Sequence, residues 1–394
     1  MYEAMIEQLE KEYPEMVQWR RYFHENPELS FHEEQTPKKI AAFLRDLGVE
    51  DVKEKFGGRG VVAKIHGDLP GKTIALRADF DALPIQDAKD VDYKSKVPGV
   101  SHACGHDAHT SLLLHTAKVL YQHREHLQGT IILIHQFAEE QTPGGAKPMV
   151  EAGCLEDVDV IFGTHLWSTF PEGSIFVKSG PLMAASDRFH IHIHGKGGHG
   201  ALPQETRDPI VCGSSIVQSL QQVVSRNVDP LESAVLSFGA FESGGPFNVI
   251  PDTAQLTGTV RTFSTVVQAI VKERMHEIVN HVGKAHGMEC TLEYDDGYPA
   301  LINHEKETKY VQQAAAELYG VEHCQDMNPM MGGEDFAYYL QQKPGAFFFT
   351  GAGHPEAFPH HHPHFDIVEK AMLQACQMFI KLIEISNKEG SQNG

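Results

Sequence analysis

The sequence predicts an α/β protein of two domains, with a small β-α domain inserted into a larger one built on a mostly parallel central sheet. Three observations predict this. The chain has 394 residues, more than the roughly 250–300 at which a single hydrophobic core stops growing. Near-continuous apolar segments alternate with helical patterns toward both ends of the chain. Between them, strands with two-residue alternation and segments with a helical pattern occur in the order β-α-β-β-α-β.

A helix followed by buried strands is predicted in the first part of the larger domain. Residues 36–48 have the pattern of an amphipathic helix, in which Thr36 is the expected N-cap, Pro37 the first helical residue and Gly48 the end. A second helical pattern covers residues 110–127. Short apolar segments around it predict strands at 60–67, 73–80, 130–137 and 158–167.

The middle of the chain has the pattern of a separate small domain. Residues 187–195 alternate polar and apolar side chains, as a half-buried strand does. The helices and strands predicted after it lie at 208–226, 233–242, 253–263, 265–287 and 288–294. This is the order of a ferredoxin-like unit. We therefore predict a larger domain formed by 1–183 and 298–394, with 184–297 inserted between its two parts.

The composition argues against several classes of function. The formal net charge is −20, and no basic stripe offsets it, which argues against nucleic acids and anionic membranes as partners. The sequence contains no run of about 18 apolar residues, so we expect no membrane span. The N-terminus lacks the basic and apolar regions of a signal peptide. The six cysteines are scattered, so we expect a reducing cytoplasm, in which Cys104 is free as a thiolate.

The segment HACGHDAH, residues 102–109, concentrates groups that bind metals or transfer protons. The imidazole, thiol and carboxylate groups in it belong to His102, Cys104, His106, Asp107 and His109. Such a cluster is either a metal site or a solvated histidine-rich turn, and the segment alone does not decide between them.

More residues of the same kinds follow the predicted strands. In chain order they are Asp79 and Asp81, Glu139 and Glu140, His165, and the histidine-rich segment 354–364. Because ligands in open α/β sheets bind beyond the carboxyl ends of the strands, we expect these residues to meet at one edge of the sheet. This convergence favours the metal site.

The types of donor indicate the chemistry of that site. Thiolate, imidazole and carboxylate together suit Zn²⁺, Mn²⁺ or Co²⁺. The donors are too many for one tetrahedral ion, so we expect two cations. Two such ions about 3.5–4 Å apart lower the pKa of a shared water toward about 7, and a neighbouring Glu can act as general base.

A set of motifs across nearly the whole chain resembles the amidohydrolase branch of the aminoacylase/carboxypeptidase family of di-metal enzymes. That branch includes N-acyl-amino-acid amidohydrolases, hippurate hydrolases and auxin-conjugate hydrolases. The matching stretches, in family order, are RYFHENPELSFHEEQT, ALRADFDALP, SHACGHDAHT, FAEEQTPGGA, GTHLW, GKGGHGALP, NVIPDTAQLTGTVRTF, GGEDFAYY and HHHPHFD. The resemblance implies a di-metal aminopeptidase-like catalytic domain and, at 184–297, a lid and dimerisation domain.

The resemblance also implies roles for individual residues around the metal ions. The residues that match the metal ligands are Cys104, His106, Glu140, His165 and His361. Glu139 matches the general base, which passes a proton from water to the leaving nitrogen. Asp81 and Asp107 match carboxylates that orient the ligands. Asp81 is also expected to be a catalytic residue. Zn²⁺ or Mn²⁺ is the expected metal, with Co²⁺ or Ni²⁺ as alternatives.

Three residues of the inserted domain match groups that contact substrate. His199 matches a histidine that stabilises the oxyanion, which in the family comes from the partner subunit of a dimer. Asn248 and Arg261 match substrate-holding residues, and Arg261 could pair with an α-carboxylate. The resemblance thus implies a homodimer.

Several histidines have competing interpretations. His360 and His362 are rivals of His361 as ligand, because the three are adjacent in HHHPH. His102 and His109 are expected to be hydrogen-bonding neighbours of the ligands. The histidines at 190, 192 and 194 alternate along one strand and are expected to form a polar sheet face.

The sequence as a whole predicts a cytoplasmic di-metal hydrolase that cleaves the amide bond of an N-acyl amino acid or a similar small conjugate. One alternative is a dipeptidase or carboxypeptidase with the same site. The alternative from another class is a non-catalytic metal-binding or regulatory protein. Glu139, which metal binding does not require, argues against the latter.

Overall fold

The computed structural model describes residues 1–390, which form two compact units. The first consists of Met1–Leu182, Ile302–Asn328 and the described part of Asp335–Gly394. The second consists of Met183–Leu301 and a short return segment, Pro329–Glu334. That return segment has no counterpart in the predicted domain scheme, which stays a prediction.

The helices and strands are numbered in chain order. The helices are α1 Tyr2–Glu25, α2 Gln35–Asp46, α3 His106–Gln122, α4 Ala146–Glu151, α5 Pro209–Gln222, α6 Thr265–Ala285, α7 Glu305–Tyr319, α8 Ala337–Leu340 and α9 Lys370–Gly390. The strands are β1 Asp51–Phe56, β2 Gly60–His66, β3 Leu69–Asp79, β4 Gln128–Gln136, β5 Val160–Pro171, β6 Ile175–Phe176, β7 Gly180–Met183, β8 Ala185–His194, β9 Gly198–His199, β10 Ala234–Glu242, β11 Val249–Ile250, β12 Thr253–Thr262, β13 Glu289–Tyr298, β14 Leu301–Asn303, β15 Cys324–Gln325 and β16 Gly345–Gly353.

The first unit is built on an eight-stranded mixed sheet in the order β1-β2-β4-β3-β5-β16-β6-β15. Its central strands β4, β3, β5 and β16 are mutually parallel, whereas β1, β2 and β6 pair antiparallel with their neighbours toward the centre. Every residue of β16 is buried, as expected for a parallel strand covered on both faces. The predicted α/β class with a mostly parallel central sheet is confirmed.

Helix α2 begins one residue earlier than its predicted cap, and Thr36 lies within it. The cap instead comes from the Glu28 carboxylate, which accepts hydrogen bonds from the amides of Glu34, Gln35 and Thr36 at 2.8–3.0 Å. A carboxylate from the preceding loop thus satisfies the free amides of the first turn, which a local pattern search does not detect. The predicted end is confirmed, since Gly48 has φ +97 directly after the last turn.

The second unit has its own sheet and core. Its antiparallel sheet has the order β10-β12-β8-β13, and β9 and β11 form a separate two-stranded sheet. Without that short pair, the chain order is β8-α5-β10-β12-α6-β13. Alternate residues of β8 (Phe189, Ile191 and Ile193) are buried in an apolar cluster to which both helices contribute. The histidines at 190, 192 and 194 lie on the opposite face, because successive side chains of a strand alternate.

Within residues 1–390, no helix is both long enough and apolar enough to cross a membrane.

Candidate metal centre

The carboxyl ends of the central parallel strands carry the predicted acidic residues. Asp79 is the last residue of β3, and Asp81 follows two residues later. Just beyond β4, the buried residue Ala138 has φ +51. Glu139 and Glu140 come directly after it, and the Glu140 amide donates to Asp81 Oδ2 at 3.0 Å. The chain turns sharply here and holds the two loops together.

His165 lies within β5, one strand away from the acidic loops. The pairing of β5 with β3 ends at Gly163, whereas its pairing with β16 continues through His165 and beyond. His165 therefore projects from β5 just past the point where β3 ends. This differs slightly from the expectation that His165 follows its strand, because β5 is longer than its neighbour.

The HACGHDAH segment forms the turn into α3. His106 is the first residue of α3, and Gly105 before it has φ +88, a left-handed conformation that glycine adopts without strain. This turn places Cys104 and His106 at the positive end of the helix dipole, which favours anionic groups nearby. The segment is buried, so the alternative of a solvated turn is wrong.

Donor atoms from these loops converge in the first unit. Three groups made up only of predicted ligands and the predicted base have donor atoms within 4.8 Å of one another: Cys104, His106 and His165; Cys104, Glu140 and His361; and His106, Glu139 and Glu140. The Cys104 sulfur is 3.4 Å from His165 Nε2. All five predicted ligands and the predicted general base therefore belong to one linked cluster.

The Nδ1 atoms of His106 and His165 form hydrogen bonds that orient the two buried rings toward this cluster. His106 Nδ1 donates to Asp81 Oδ1 at 3.1 Å, and His165 Nδ1 donates to the carbonyl of Leu166 at 3.0 Å. The Nε2 atoms therefore face the other donors. Carboxylates and carbonyls commonly orient metal-binding histidines in this way, and the contact of Asp81 agrees with its expected role.

The charge of the cluster fits bound cations. His106 Nε2 and Glu140 Oε1 are buried and form no hydrogen bond in the described chain, although His361 Nε2 lies 3.3 Å from Glu140 Oε1. Burial lowers the pKa of His106, but Asp79, Asp81 and Glu140 outweigh burial and raise it to about 10. Burial, reinforced by Glu140 and Glu139, also raises the pKa of the Cys104 thiol. Divalent cations would neutralise this excess of negative charge and satisfy the unpaired atoms.

Among the three adjacent histidines, His361 is the one that joins the cluster. Its Nε2 lies 3.3 Å from Glu140 Oε1, and its φ of +63 is a left-handed conformation that is uncommon in residues other than glycine. The ring of His360 instead stacks on His165, with 5.1 Å between centroids. The ring of His362 stacks on Phe358 at 4.4 Å.

Asp107 has different partners from those expected. Its Oδ2 accepts from His24 Nδ1 at 2.6 Å and from Arg20 Nε at 2.9 Å, whereas the expectation was that it orients a ligand. All three side chains are buried. Because the side chain after His106 leaves the helix in another direction, Asp107 contacts α1 and ties the first turn of α3 to it.

A second layer of buried residues lies behind the cluster, in which Asp79 and His109 were predicted to be near the site and Arg77 and Asp335 were not. His109 Nδ1 donates to Asp79 Oδ1 at 2.6 Å, and its Nε2 accepts from the Leu166 amide at 2.9 Å. The other Asp79 oxygen accepts from Arg77, which also donates to Asp335 at 3.0 Å. Both ring nitrogens of His109 are thus occupied, which agrees with its expected role as a neighbour of the ligands. The position of Arg77 inside an apolar strand was the one sequence signal for this layer.

The three predicted substrate-contacting residues belong to the second unit. His199 in β9 is paired with Val249 in β11, and Asn248 immediately precedes β11, so both lie on one exposed two-stranded ribbon. Arg261, on β12, donates from Nε to the Met331 carbonyl at 3.1 Å. Burial lowers its pKa, partly offset by Asp187. The hydrogen bonds of Arg261 within the described residues go to uncharged oxygens, those of the Met331 and Val260 carbonyls and the Thr259 hydroxyl.

Comparison with known proteins identifies the family. The family model for peptidase family M20/M25/M40 matches residues 75–385. The chain belongs to this family.

Relatives of this M20-family chain include enzymes that cleave amide bonds. It is 55% identical over 374 residues to YhaA of Bacillus subtilis (strain 168), which carries a provisional designation as an amidohydrolase, with 94% of each chain covered. It is 46% identical over 292 residues to the N-acyl-L-amino acid amidohydrolase of Geobacillus stearothermophilus, covering 74% of this chain and 79% of that protein.

A solved structure bears on the metals. The YXEP protein of Bacillus subtilis, described as a dinuclear metal binding peptidase of the M20 family, is 37% identical to this chain. Its structure matches with a TM-score of 0.84 over 96% of this M20-family chain and 99% of its own. The predicted family is confirmed, and with it the prediction of a metal-dependent enzyme that hydrolyses amide bonds.

Proposed function

We propose that this chain hydrolyses the amide bond of an N-acyl amino acid or a similar small amide conjugate, with two divalent cations as cofactors. The convergence of one thiol, three imidazoles and two adjacent glutamates in the first unit carries this proposal. Cys104, His106, Glu140, His165 and His361 are the proposed ligands. Zn²⁺ or Mn²⁺ is the proposed metal, since these donors suit both, and Co²⁺ or Ni²⁺ are alternatives.

The cations would supply a Lewis acid that polarises the scissile carbonyl and activates water. Glu139, 8% exposed and grouped with His106 and Glu140, is the proposed base. It takes a proton from water and gives it to the leaving nitrogen. Asp81 keeps the His106 ring in the tautomer that presents Nε2 to the other donors.

The second unit is the proposed ferredoxin-like lid and dimerisation domain. Its chain order and its antiparallel four-stranded sheet support that assignment. Arg261, which is half-buried and donates to uncharged oxygens within the described residues, is the proposed contact for the substrate carboxylate. His199 and Asn248, neighbours on one exposed ribbon, are the proposed groups for the oxyanion and for substrate. We further propose a cytoplasmic homodimer, and light scattering of the purified protein tests the dimer.

The general base is tested by Glu139→Gln. The variant should bind metal as the wild type does, because the proposed ligands do not include Glu139, while kcat falls by on the order of 10²–10⁴. Metal content is measured by mass spectrometry, and kcat is measured on a panel of N-acyl amino acids with single metals reloaded. Retention of most of the activity would show that the base is another residue.

The same panel separates the alternatives. Each N-acetyl amino acid is paired with the dipeptide that has the same C-terminal residue. Faster cleavage of the dipeptides would identify a dipeptidase or carboxypeptidase. Metal binding without turnover of any substrate would identify a metal-binding or regulatory protein.

A further inference from the structure

Ala138, the residue before the two candidate glutamates, has an unusual backbone conformation. Its φ is +51 and its side chain is fully buried. A residue with a Cβ rarely adopts this left-handed conformation, which persists only where surrounding contacts enforce it. The turn matters because it sets the directions in which Glu139 and Glu140 leave the end of β4.

One side chain enforces the turn directly. Glu33 Oε1 accepts a hydrogen bond from the Ala138 amide at 2.9 Å, and Glu33 is only 1% exposed. A further hydrogen bond fixes the backbone of Glu33, because Arg59 Nη1 donates to the Glu33 carbonyl at 2.6 Å. The ring of Phe31 meets that of Phe137, 5.9 Å between centroids, so the two segments also pack together beside the hydrogen bond.

We propose that Glu33 is a positioning residue of the hydrolase site, which holds Ala138 in its left-handed conformation and thereby aims Glu139 and Glu140 at the cluster. The roles of Glu139 and Glu140 rest on the proposed function. The interaction itself joins residues 105 positions apart in the chain. Glu33 belongs to none of the described groups of donor atoms that could hold a cation, so it acts through the backbone.

The relevant property of Glu33 is its acceptor oxygen rather than its charge. Burial, together with the nearby Asp81, raises the pKa of Glu33 to about 8, so the group is largely neutral at pH 7. Its Oε2 is buried and forms no hydrogen bond in the described chain, and Arg59 Nε lies 4.0 Å from it. A glutamine at this position keeps the acceptor without the charge, and should therefore hold the turn.

The first experiment compares Glu33→Ala with Glu33→Gln. We expect Glu33→Ala to lower kcat on the order of 10-fold to 100-fold at saturating metal, the range seen when groups behind a metal site are removed. Hydrogen exchange of the Ala138 amide, measured by mass spectrometry, should accelerate in the same variant. Glu33→Gln should keep both properties near those of the wild type.

Glu28 provides a matched control. It is another carboxylate of the same segment that accepts backbone amides, but those amides belong to the first turn of α2. Glu28→Ala should lower the melting temperature while leaving kcat and the exchange of the Ala138 amide unchanged. A loss of kcat as large as that of Glu33→Ala would mean that general loosening of this segment, rather than the turn, explains the effect.

The second experiment tests the turn by a double-mutant cycle with Ala138→Gly. Glycine adopts φ above zero without strain, so the turn needs less support in this variant. Removing Glu33 should therefore lower kcat several-fold less in the A138G background than in the wild type. Equal losses in both backgrounds would overturn the proposal. If Glu33→Ala does not fold, Glu33→Asp, which withdraws the oxygen by one methylene, replaces it in the cycle.

The outcomes separate this proposal from the proposed function. A wild-type protein that cleaves no N-acyl amino acid refutes the proposed function, and the exchange of the Ala138 amide still tests the hydrogen bond. A wild-type protein that is active, with a Glu33→Ala variant equal to it in kcat and exchange, refutes the role of Glu33 alone. Equal losses in Glu33→Gln and Glu33→Ala would show that the charge is needed, and would also refute it.

Discussion

Replacement of Gly105 by Ala perturbs the turn that presents Cys104 and His106. The φ of Gly105 is +88, and an added Cβ would lie 3.5 Å from its nearest neighbour, Cζ of Phe365. This is an ordinary contact, so there is room for the methyl group and the cost comes from the backbone alone. A left-handed conformation costs a residue with a Cβ about 1–2 kcal/mol.

This cost should be measurable both in stability and in metal binding. If the turn keeps its conformation, the melting temperature falls by about 2–8 °C, at about 2–4 °C per kcal/mol for a unit of this size. If the turn relaxes instead, Cys104 and His106 shift and metal affinity falls by a factor of about 5–30. Scanning fluorimetry and competition with a chelator measure the two quantities, and their summed free energies should equal the backbone cost.

Gly99→Ala is the matched control. Gly99 has φ +74, and an added Cβ would meet nothing within 4 Å. The Gly99→Ala variant should have a similar backbone cost. This cost should lower the melting temperature and leave metal affinity unchanged, because Gly99 does not adjoin a candidate ligand. The reasoning is refuted if Gly105→Ala changes neither quantity, or if Gly99→Ala weakens metal binding as much.

Two further predictions concern buried hydrogen bonds. Burial raises the pKa of Asp87, but hydrogen bonds, first among them that from His24, outweigh burial and lower it. The resulting stability is present above the unfolded pKa of about 4 and is lost as pH falls further. Asp87→Asn should therefore flatten the fall in melting temperature below about pH 4, while Asp157→Asn, at a side chain 70% exposed, should not. His109→Asn keeps a donor for Asp79 but leaves the buried Leu166 amide unpaired, which costs about 1–3 kcal/mol and should lower kcat. His115→Asn, on the same helix at a residue that donates to the Ser111 carbonyl within the described chain, should preserve kcat, and equal activities of the two variants would contradict the role of His109.

The order of the secondary structure could be predicted because it depends on local patterns. Buried parallel strands such as β16 require uninterrupted apolar residues, and β8 requires alternation because only one face is buried. The start of α2 could not be predicted, since its cap comes from Glu28 in the preceding loop. The return segment Pro329–Glu334 was also missed, because unit membership depends on contacts rather than on composition.

The candidate ligands could be identified from motif order, yet their partners could not. Asp107 contacts Arg20 and His24, although the resemblance implied that it orients a ligand. His109 supports the backbone beside His165, and no spacing in the sequence indicates that contact. Hydrogen bonds are directional, and the direction of a side chain depends on backbone geometry that the order of residues does not specify.

The sequence by itself determined the types of donor atom, their positions after apolar strands, and the family to which the chain belongs. These are encoded locally, because strand burial and ligand chemistry follow from residue type. Only the tertiary structure decided that His361 rather than its neighbours approaches Glu140, and that Glu33 supports Ala138. Both depend on where distant segments meet and on left-handed backbone conformations, which packing enforces against the intrinsic preference of the residues concerned.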